Sequence, residues 1–271
     1  MSEPQEYIFK YSDEEVRRLV VQSIYWSDFT EELLRKAGLS KGMRVLDVGS
    51  GVGDVAMIAA RLVGETGSVL GIDRSADSLA VARNRAASAG LANVQFEQAE
   101  VDSYETQDRF TAIIGRMILH HLPDPTSTLR RLSGLLAPGG LVIFQEPDLT
   151  GLKMEPPSEL SARVCGWFPQ VLERAGLDSK LGQRLPLLMK EAGLPAPHCV
   201  AVQHLSVPGA RRNREYFEVS IWGILPLLER FGIATAAEVD IATLWQRLAE
   251  DTLSHNGTWH STRMVGAWTR A

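Results

Sequence analysis

Short apolar runs alternate with helix-forming segments through the first half of the chain. Runs at 45–48, 68–72 and 94–97 carry the aliphatic and β-branched residues of buried strands, and the helix formers of 76–89 stop at Gly90. Strands that alternate with helices form a mostly parallel sheet, because each helix returns the chain to the same edge through a right-handed crossover. The pattern therefore predicts an α/β fold.

Helical segments interrupt this alternation on both sides. The predicted helices are 11–37, 158–174, 183–192, 213–231 and 235–253, and the predicted late strands are 199–207 and 258–269. The expected organisation is an N-terminal helical cap over 1–38, a core over 39–150, a helical lid insert over 151–178, continued core over 179–208, a second lid insert over 209–256 and a final core strand over 257–271. Because open α/β sheets bind ligands beyond the carboxyl ends of their strands, we expect the cap and lid segments to meet there.

Glycines at alternate positions follow the first predicted strand. They are Gly49, Gly51 and Gly53, and a predicted helix begins directly after them. Glycine permits positive φ and lets a ligand approach the amide groups of the helix N-terminus. A dinucleotide fingerprint, G-x-G-x-x-G, would need glycine where this chain has Asp54, and a carboxylate there would repel a pyrophosphate. The turn is therefore predicted to hold a nucleoside and not a dinucleotide.

Acidic residues end the next two strands. Asp73 follows the second, where a carboxylate can accept both hydroxyls of a ribose, and Glu100 and Asp102 follow the third. With 116–125 (RMILHHLPDP) and 136–144 (LAPGGLVIF), this order resembles the class I S-adenosylmethionine-dependent methyltransferases, in their small-molecule and ubiquinone-biosynthesis branch. The resemblance runs from about Lys41 to Leu149. It implies a Rossmann-like, seven-stranded, mostly parallel sheet with helical lid insertions and a last, antiparallel strand.

The resemblance also implies S-adenosylmethionine as cofactor, S-adenosylhomocysteine as product, and a set of cofactor-binding residues. By position these are Asp47, Gly49, Ser50, Gly51, Gly53, Asp73, Arg74, Glu100, Val101, Arg116 and Met117. The glycine turn, Arg116 and Met117 would border the methionine part, and Asp47 would lie near its amino group or orient the turn. Asp73 would take the ribose and Arg74 would lie beside the adenine. Glu100 stands where the family often has aspartate, and Val101 would offer its backbone.

Two histidines and a glutamate are the catalytic candidates. His120 and His121 follow the fourth strand and are expected to start a helix facing the cleft, while Glu146 and Asp148 are expected to follow the fifth. Adjacent strand ends can bring an imidazole and a carboxylate together as a general base with its orienting partner. The alternative is that the His-His-Leu-Pro run is a helix start that packs against the cofactor turn. No metal site is expected, because the chain lacks HExxH or cysteine-rich spacing.

Large apolar side chains are concentrated in the cap and lid segments. The residues predicted to line a substrate pocket are Tyr25, Trp26, Trp167 and Trp222. Together they indicate a closed, water-poor chamber for an organic acceptor, although ordinary packing between lid and core is the alternative for each of them. We expect at least one of the three tryptophans to border that chamber.

Composition excludes several classes of function. The chain has 271 residues, a net charge of −5 and two cysteines, which argues against a nucleic-acid surface and against a disulfide framework. The N-terminal residues lack the pattern of a secretory signal, so a cytoplasmic protein is expected. It is expected to act on a small-molecule acceptor, to have no stable membrane insertion, and to be a monomer or a homodimer.

The predicted function is transfer of a methyl group to O, N or activated C of a small hydrophobic or aromatic metabolite, in secondary metabolism. One alternative is a quinone or isoprenoid ring C-methyltransferase. The other keeps the fold and cofactor but binds or rearranges a small molecule without methyl transfer, because fold alone does not define the chemistry.

Overall fold

A computed structural model describes residues 13–207 and 211–271. Tyr11 and Ser12, predicted to open the first helix, lie outside the described residues, as do the rest of 1–12 in the predicted cap and 208–210 at the junction of core and second lid insert.

Strands and helices follow one another as the sequence predicts, with a few additions. The strands are β1 Arg44–Val48, β2 Ser68–Asp73, β3 Val94–Gln98, β4 Phe110–Arg116, β5 Leu136–Asp148, β6 Lys153–Glu155, β7 His198–Val202, β8 Leu205–Ser206, β9 Thr258–His260 and β10 Arg263–Arg270. The α-helices are α1 Asp13–Ala37, α2 Asp54–Val63, α3 Ala76–Ser88, α4 Pro125–Ser133, α5 Glu159–Arg174, α6 Leu181–Glu191, α7 Arg211–Arg230, α8 Ala236–Val239 and α9 Ile241–Ser254. Single 3₁₀ turns cover Leu119–His121 and Leu149–Gly151.

Seven strands form the main sheet, in the order β3-β2-β1-β4-β5-β10-β7. The pairs from β3 to β5 are parallel, and β10 runs antiparallel to both β5 and β7. The predicted seven-stranded, mostly parallel sheet with an antiparallel last strand is confirmed. From β1 the chain builds the sheet outward on one side and then crosses to β4 on the other, so the crevice between these two strands is the expected ligand site of such a sheet.

Hydrophobic cores cover both faces of this sheet, and the lid has a core of its own. Helices α1, α2 and α3 pack on one face, and α4 and α6 pack on the other. Helices α5, α7 and α9 bury a separate cluster that includes Val164, Ile221 and Leu244. The residues of this third cluster pack mostly against one another, so the lid helices are held together by their own hydrophobic core. They cover the carboxyl edge of the sheet.

A small second sheet, of order β6-β9-β8, lies beside the main one and was not predicted. The predicted strands 199–207 and 258–269 are each divided between the two sheets, which corrects the sequence prediction. The divisions coincide with polar backbone pairing: the amide of Ser261 donates to the carbonyl of His204 at 2.9 Å, and the Ser261 hydroxyl oxygen accepts from the His204 amide at 3.0 Å. These bonds hold together the two segments of the chain at the point where each passes from one sheet to the other.

Two further corrections concern element ends. The predicted helix 235–253 is two helices, because Asp240 adopts a left-handed φ of 41° between α8 and α9. Glu146 and Asp148 do not follow the fifth strand but lie within it, where β5 pairs with Val265 and Arg263 of β10. The antiparallel partner extends β5 beyond its parallel neighbour β4, whose pairing stops at Arg116 and Gln145.

Candidate functional site

A cavity lies between the carboxyl edge of the main sheet and the lid. One end is lined by Gly49, Gly51, Asp73, Arg74, Glu100 and Val101. The other end is lined by apolar residues of the lid and of the segment after β5, among them Leu152, Phe168, Phe217, Trp245 and Trp259. His120, Arg116 and Met117 are also on the wall. One cavity therefore joins the predicted nucleoside site to an aromatic chamber.

The glycine turn has the backbone that its sequence requires. Gly49, Gly51 and Gly53 have φ values of 68°, 51° and 85°, a region that other residues rarely adopt. A Cβ on Gly49 would lie 2.6 Å from Ile118, whereas a Cβ on Gly51 would meet nothing within 4 Å. Since Gly51 also lines the cavity, its bare backbone is open to a ligand.

Gly53 and Ser50 have structural positions in the same turn. Gly53 is the N-cap of α2, and a Cβ there would lie 2.9 Å from the Phe96 ring. Ser50 donates its amide to the carbonyl of Ile72 at 2.9 Å. Neither residue is on the cavity wall, so the structure places these two predicted cofactor contacts behind the turn.

Asp73 ties the turn to the end of β2. Its carboxylate oxygens accept from the amides of Gly51, at 2.8 Å, and Ser75, at 2.9 Å. Burial raises the pKa of this carboxyl above its usual value. Asp73 lines the cavity, so it has both a structural contact with the turn and lone pairs available to a ligand.

The strand order arranges the cavity wall from end to end. Glu100 and Val101 follow β3, Asp73 ends β2, Gly51 follows β1 and Arg116 ends β4, and these strands are neighbours in that order. A nucleoside whose ribose lies at Asp73 therefore has its base toward Glu100 and Val101 and its other end toward Arg116.

Two ionisable side chains lie at this end of the cavity: Arg116 is on the wall, and Asp47 is buried. The Arg116 guanidinium donates to the Thr30 hydroxyl at 2.9 Å, and burial lowers its pKa. Burial raises the pKa of Asp47 to about 8. Asp47 is absent from the cavity wall and interacts with the amide of Ala56 in α2, which favours the turn-orienting interpretation of this residue.

We expect Asp47 to make stability pH-dependent. Its pKa rises from 3.8 to about 8 on folding, so between these values the folded state binds a proton that the unfolded chain has released. The stabilisation is therefore complete at low pH and is lost as pH rises toward 8, by up to roughly 1.4 kcal/mol for each pKa unit. Urea unfolding of wild type and Asp47→Asn across this range measures it, and the variant should show the flatter profile.

The matched control is Asp77→Asn, which removes an exposed carboxyl in the first turn of α3. Its profile should keep the wild-type slope. Parallel profiles for wild type and Asp47→Asn would show that Asp47 does not hold its proton in the folded state.

Glu146 and His120 form a buried pair on adjacent elements. His120 Nδ1 lies 2.7 Å from Glu146 Oε2, and Glu146 Oε1 accepts from the amides of Ile118 and Leu119 at 3.0 and 2.8 Å. A carboxylate is only an acceptor, so Nδ1 carries the proton and Nε2 is left as the basic nitrogen. The structure thus brings together two of the three predicted catalytic residues in the arrangement of a base and its orienting partner.

His121 packs against His120 with ring centroids 3.9 Å apart. Burial, with a further contribution from His120, holds the pKa of His121 well below 6.5. His121 is therefore a neutral side chain of the cavity wall near neutral pH, and the contact with Glu146 distinguishes His120 from it. Both histidines lie in a single 3₁₀ turn, and the predicted helix start, α4, comes after Asp124.

Three of the four predicted pocket residues do not line the cavity, and Tyr25 alone of the four does. Trp26 is fully buried and donates to the Tyr216 hydroxyl, Trp167 is buried in the lid core, and Trp222 is 53% exposed. The expectation that one of these tryptophans borders the chamber is corrected: Trp245 and Trp259 do so instead.

Helical periodicity explains this difference. On α7 the cavity residues Phe217 and Ile224 are seven positions apart, which places them on one face, while Trp222 lies on another. On α5 the cavity residue Phe168 is next to Trp167, which faces the lid core. The spacing of residues along α7 therefore indicates which of them line the cavity. The sequence around α9 and β9 gives no comparable local indication for Trp245 or Trp259.

Comparison with known proteins gives a family match. Residues 39–193 match a family model described as a methyltransferase domain. The chain is 40% identical over 116 residues to the arsenite methyltransferase of Aquipseudomonas alcaligenes, covering 40% of this chain and 34% of the relative. It is 37% identical over 123 residues to a ubiquinone/menaquinone biosynthesis C-methyltransferase of Azotobacter vinelandii, covering 45% of this chain and 47% of the relative.

A solved structure extends the comparison to the lid. The YcgJ protein of Bacillus subtilis superposes with a TM-score of 0.56 at 17% identity, covering 90% of this chain and 99% of that one. This likeness concerns the fold. The matched segments span less than half the length of the two curated relatives.

Proposed function

The chain belongs to the family of methyltransferase domains, for which S-adenosylmethionine is the methyl donor, and we propose that it methylates a small, largely apolar or aromatic molecule. The observation that carries this proposal is the single cavity that joins the glycine turn to the aromatic chamber, with His120 on its wall. The methylated atom is an oxygen, a nitrogen or an activated carbon.

The chain's own residues fit the cofactor. Gly51 leaves open space where a side chain would project, and Asp73 presents a carboxylate to the same space. Glu100 and Val101 lie where the base would extend, and Arg116 lies at the opposite end. Asp47, Ser50 and Gly53 would support the turn from behind, whereas Arg74 and Met117 would border the ligand.

Positioning and exclusion of water are the main contributions we assign to the lid. S-adenosylmethionine supplies a methyl group activated by a sulfonium, which is transferred by in-line displacement. The positive charge disperses as the methyl group moves, so an apolar, closed chamber favours the reaction and alignment of the acceptor supplies much of the rate. Phe217, Trp245 and Trp259 offer flat walls against which a ring can be aligned.

His120 is proposed as the general base. Its Nε2, the basic nitrogen of this tautomer, would take a proton from the acceptor, while Glu146 would fix the tautomer and stabilise the imidazolium that results. This step is useful for a hydroxyl, and equally for an activated ring carbon that must lose its proton after methylation. The quinone-ring alternative therefore remains within the same mechanism and is supported by the C-methyltransferase relative. No described helix is long and apolar enough to cross a membrane.

Product mass tests the proposal directly. The protein is incubated with S-adenosylmethionine and a panel of phenols, naphthols, quinols and aromatic amines, and the products are analysed by mass spectrometry. We expect an accepted compound to gain one CH₂, with one S-adenosylhomocysteine formed per product. A compound that is consumed without a change of mass would overturn methyl transfer and favour a rearrangement.

A further inference from the structure

The segment after β3 forms the wall of the cavity where the base of a nucleoside would lie, and it has no regular secondary structure. Glu100 and Val101 of this segment line the cavity. A turn follows from Glu100, closed by the Ser103 amide, which donates to the Glu100 carbonyl at 3.3 Å. This distance is long for an N–H···O hydrogen bond, so the position of the turn depends on contacts with other elements.

Arg131 of α4 makes two such contacts. Its guanidinium donates from Nη1 to the Tyr104 carbonyl at 2.6 Å and from Nη2 to the Val101 carbonyl. The two carbonyls are three residues apart, and a planar guanidinium presents its donors in a fixed fork. One side chain therefore bridges both ends of the turn.

Both sides of this bridge are anchored in one hydrophobic core. Leu129 and Leu132, on the same helix as Arg131, are buried in the core that α4 and α6 cover. The side chains of Val101 and Tyr104 are buried in the same core. Because close-packed side chains leave little room for movement, Arg131 holds the backbone of the turn at a fixed distance from α4.

The turn presents a backbone donor to the cavity. In a trans peptide the N–H points away from the preceding C=O, and the Glu100 carbonyl points into the turn, toward Ser103. The Val101 amide therefore points out of the turn, and none of the hydrogen bonds among the described residues uses it. Since Val101 lines the cavity, its amide is available to a ligand there.

Adenine and hypoxanthine make opposite demands on this wall. In adenine, N1 is an acceptor and the 6-amino group is a donor, whereas in hypoxanthine N1 carries a proton and position 6 is a carbonyl oxygen. The Val101 amide is a donor and the Glu100 carboxylate is an acceptor, so this pair matches adenine and opposes hypoxanthine. Selection between the bases requires a fixed amide, because a hydrogen bond weakens steeply when it is misaligned.

We propose that Arg131 determines the selectivity of the cofactor site for adenine, by holding the Val101 amide where it meets N1 of the base. This inference rests on the proposed function, in which the base of S-adenosylmethionine lies beside Glu100 and Val101. Arg131 is a positioning residue in it, because Arg131 contacts the turn and is not on the cavity wall.

The test compares the binding of two ligands by calorimetry. They are S-adenosylhomocysteine and S-inosylhomocysteine, which differ only at N1 and position 6 of the base. Wild type should prefer the first by about a hundredfold, because the second leaves two mismatched hydrogen-bonding groups and each corresponds to roughly tenfold in affinity. Arg131→Met removes every donor of the side chain and keeps an apolar stem, so the preference should fall by about tenfold.

Two further variants keep the test specific. Arg130→Met is the matched control, because Arg130 is the exposed neighbour of Arg131 on α4 and donates to the carbonyl of Glu191 instead of to the turn. It should keep the wild-type preference. Arg131→Lys keeps a cation that can donate to the turn without the fork of a guanidinium, so its preference should lie between those of wild type and Arg131→Met.

The outcomes separate this inference from the proposed function. A wild-type preference retained in both Arg131 variants, with or without an equal loss of affinity for the two ligands, would show that Arg131 supports the fold and not the selection of the base. A wild-type protein that binds both ligands equally would also overturn the inference. Failure of the wild-type protein to bind S-adenosylhomocysteine at all would instead contradict the proposed function.

Discussion

Glu146→Gln is expected to abolish most of the methyl transfer without removing the cofactor. The glutamine oxygen can still accept from the amides of Ile118 and Leu119, as Glu146 does now. Its NH₂ group then faces His120 Nδ1, which has to become an acceptor, so the proton moves to Nε2 and the base is lost. We expect a loss of ~10²–10⁴-fold in the single-turnover rate, the contribution typical of general base catalysis.

Companion variants identify the base. His120→Ala should lose a similar amount, and its combination with Glu146→Gln should lose little more, because the two residues act as one unit. His198→Ala, on the exposed edge strand β7, is the matched control for loss of an imidazole. S-adenosylhomocysteine affinity is measured alongside, and near-normal rates in both active-site variants would show that the acceptor loses its proton without help.

The pH profile supplies an independent check on this assignment. A base must be unprotonated to act, so any part of the wild-type pH dependence that the base causes should be absent in Glu146→Gln. His121 is not the source of such a profile near neutral pH, because its pKa lies well below 6.5. A profile that persists in Glu146→Gln but disappears in His121→Gln would reverse the roles of the two histidines.

Sequence was sufficient for the parts of the site that local rules determine. The glycine turn lies between the end of β1 and the start of α2, and Asp73 is the last residue of β2. Both positions can be recognised from the spacing of glycines and apolar residues in the sequence. The approach of His120 to Glu146 follows from the rule that carboxyl ends of neighbouring parallel strands share one edge, and that contact is present at 2.7 Å. The prediction of this contact needed strand order alone: Glu146 lies within β5, but it comes directly after the point where the pairing of β5 with β4 stops.

The lid was less predictable because its contacts are set by packing between distant segments. Trp222 and Phe217 are both large aromatic residues of one helix, yet Trp222 is exposed and Phe217 lines the cavity. The contact between Trp26 and Tyr216 joins residues 190 positions apart. No local pattern specifies such a pair, so Tyr216 was missed altogether.

The small second sheet was missed for a related reason. β8 has two residues and β6 and β9 have three each, which is too short for an alternating pattern to stand out. Their pairing depends on where β5 and β7 end and where β10 begins in the folded protein. Trp259 on β9 consequently enters the acceptor chamber through a register that only the assembled fold specifies.

Asp73→Asn is expected to weaken S-adenosylhomocysteine binding by well over tenfold. The wild-type carboxylate accepts from Gly51 and Ser75 and has lone pairs left for both ribose hydroxyls. An amide keeps the volume but offers a single acceptor oxygen, so it cannot serve the turn and the ribose together. Each charge-assisted hydrogen bond lost corresponds to ~1.5–3 kcal/mol. Calorimetry at neutral pH measures the change.

The ribose contact is separated from the support of the turn by a second ligand. The 2′,3′-dideoxy analogue of S-adenosylhomocysteine lacks both hydroxyls, so wild type should bind it far more weakly than the parent compound. In Asp73→Asn that preference should largely disappear, whereas damage to the turn would weaken both ligands equally. Because burial raises the pKa of Asp73, the wild-type preference should also diminish on acidification, as protonation removes the charge that the hydroxyls contact. A preference that stays the same in the variant would show that the carboxylate serves the glycine turn alone.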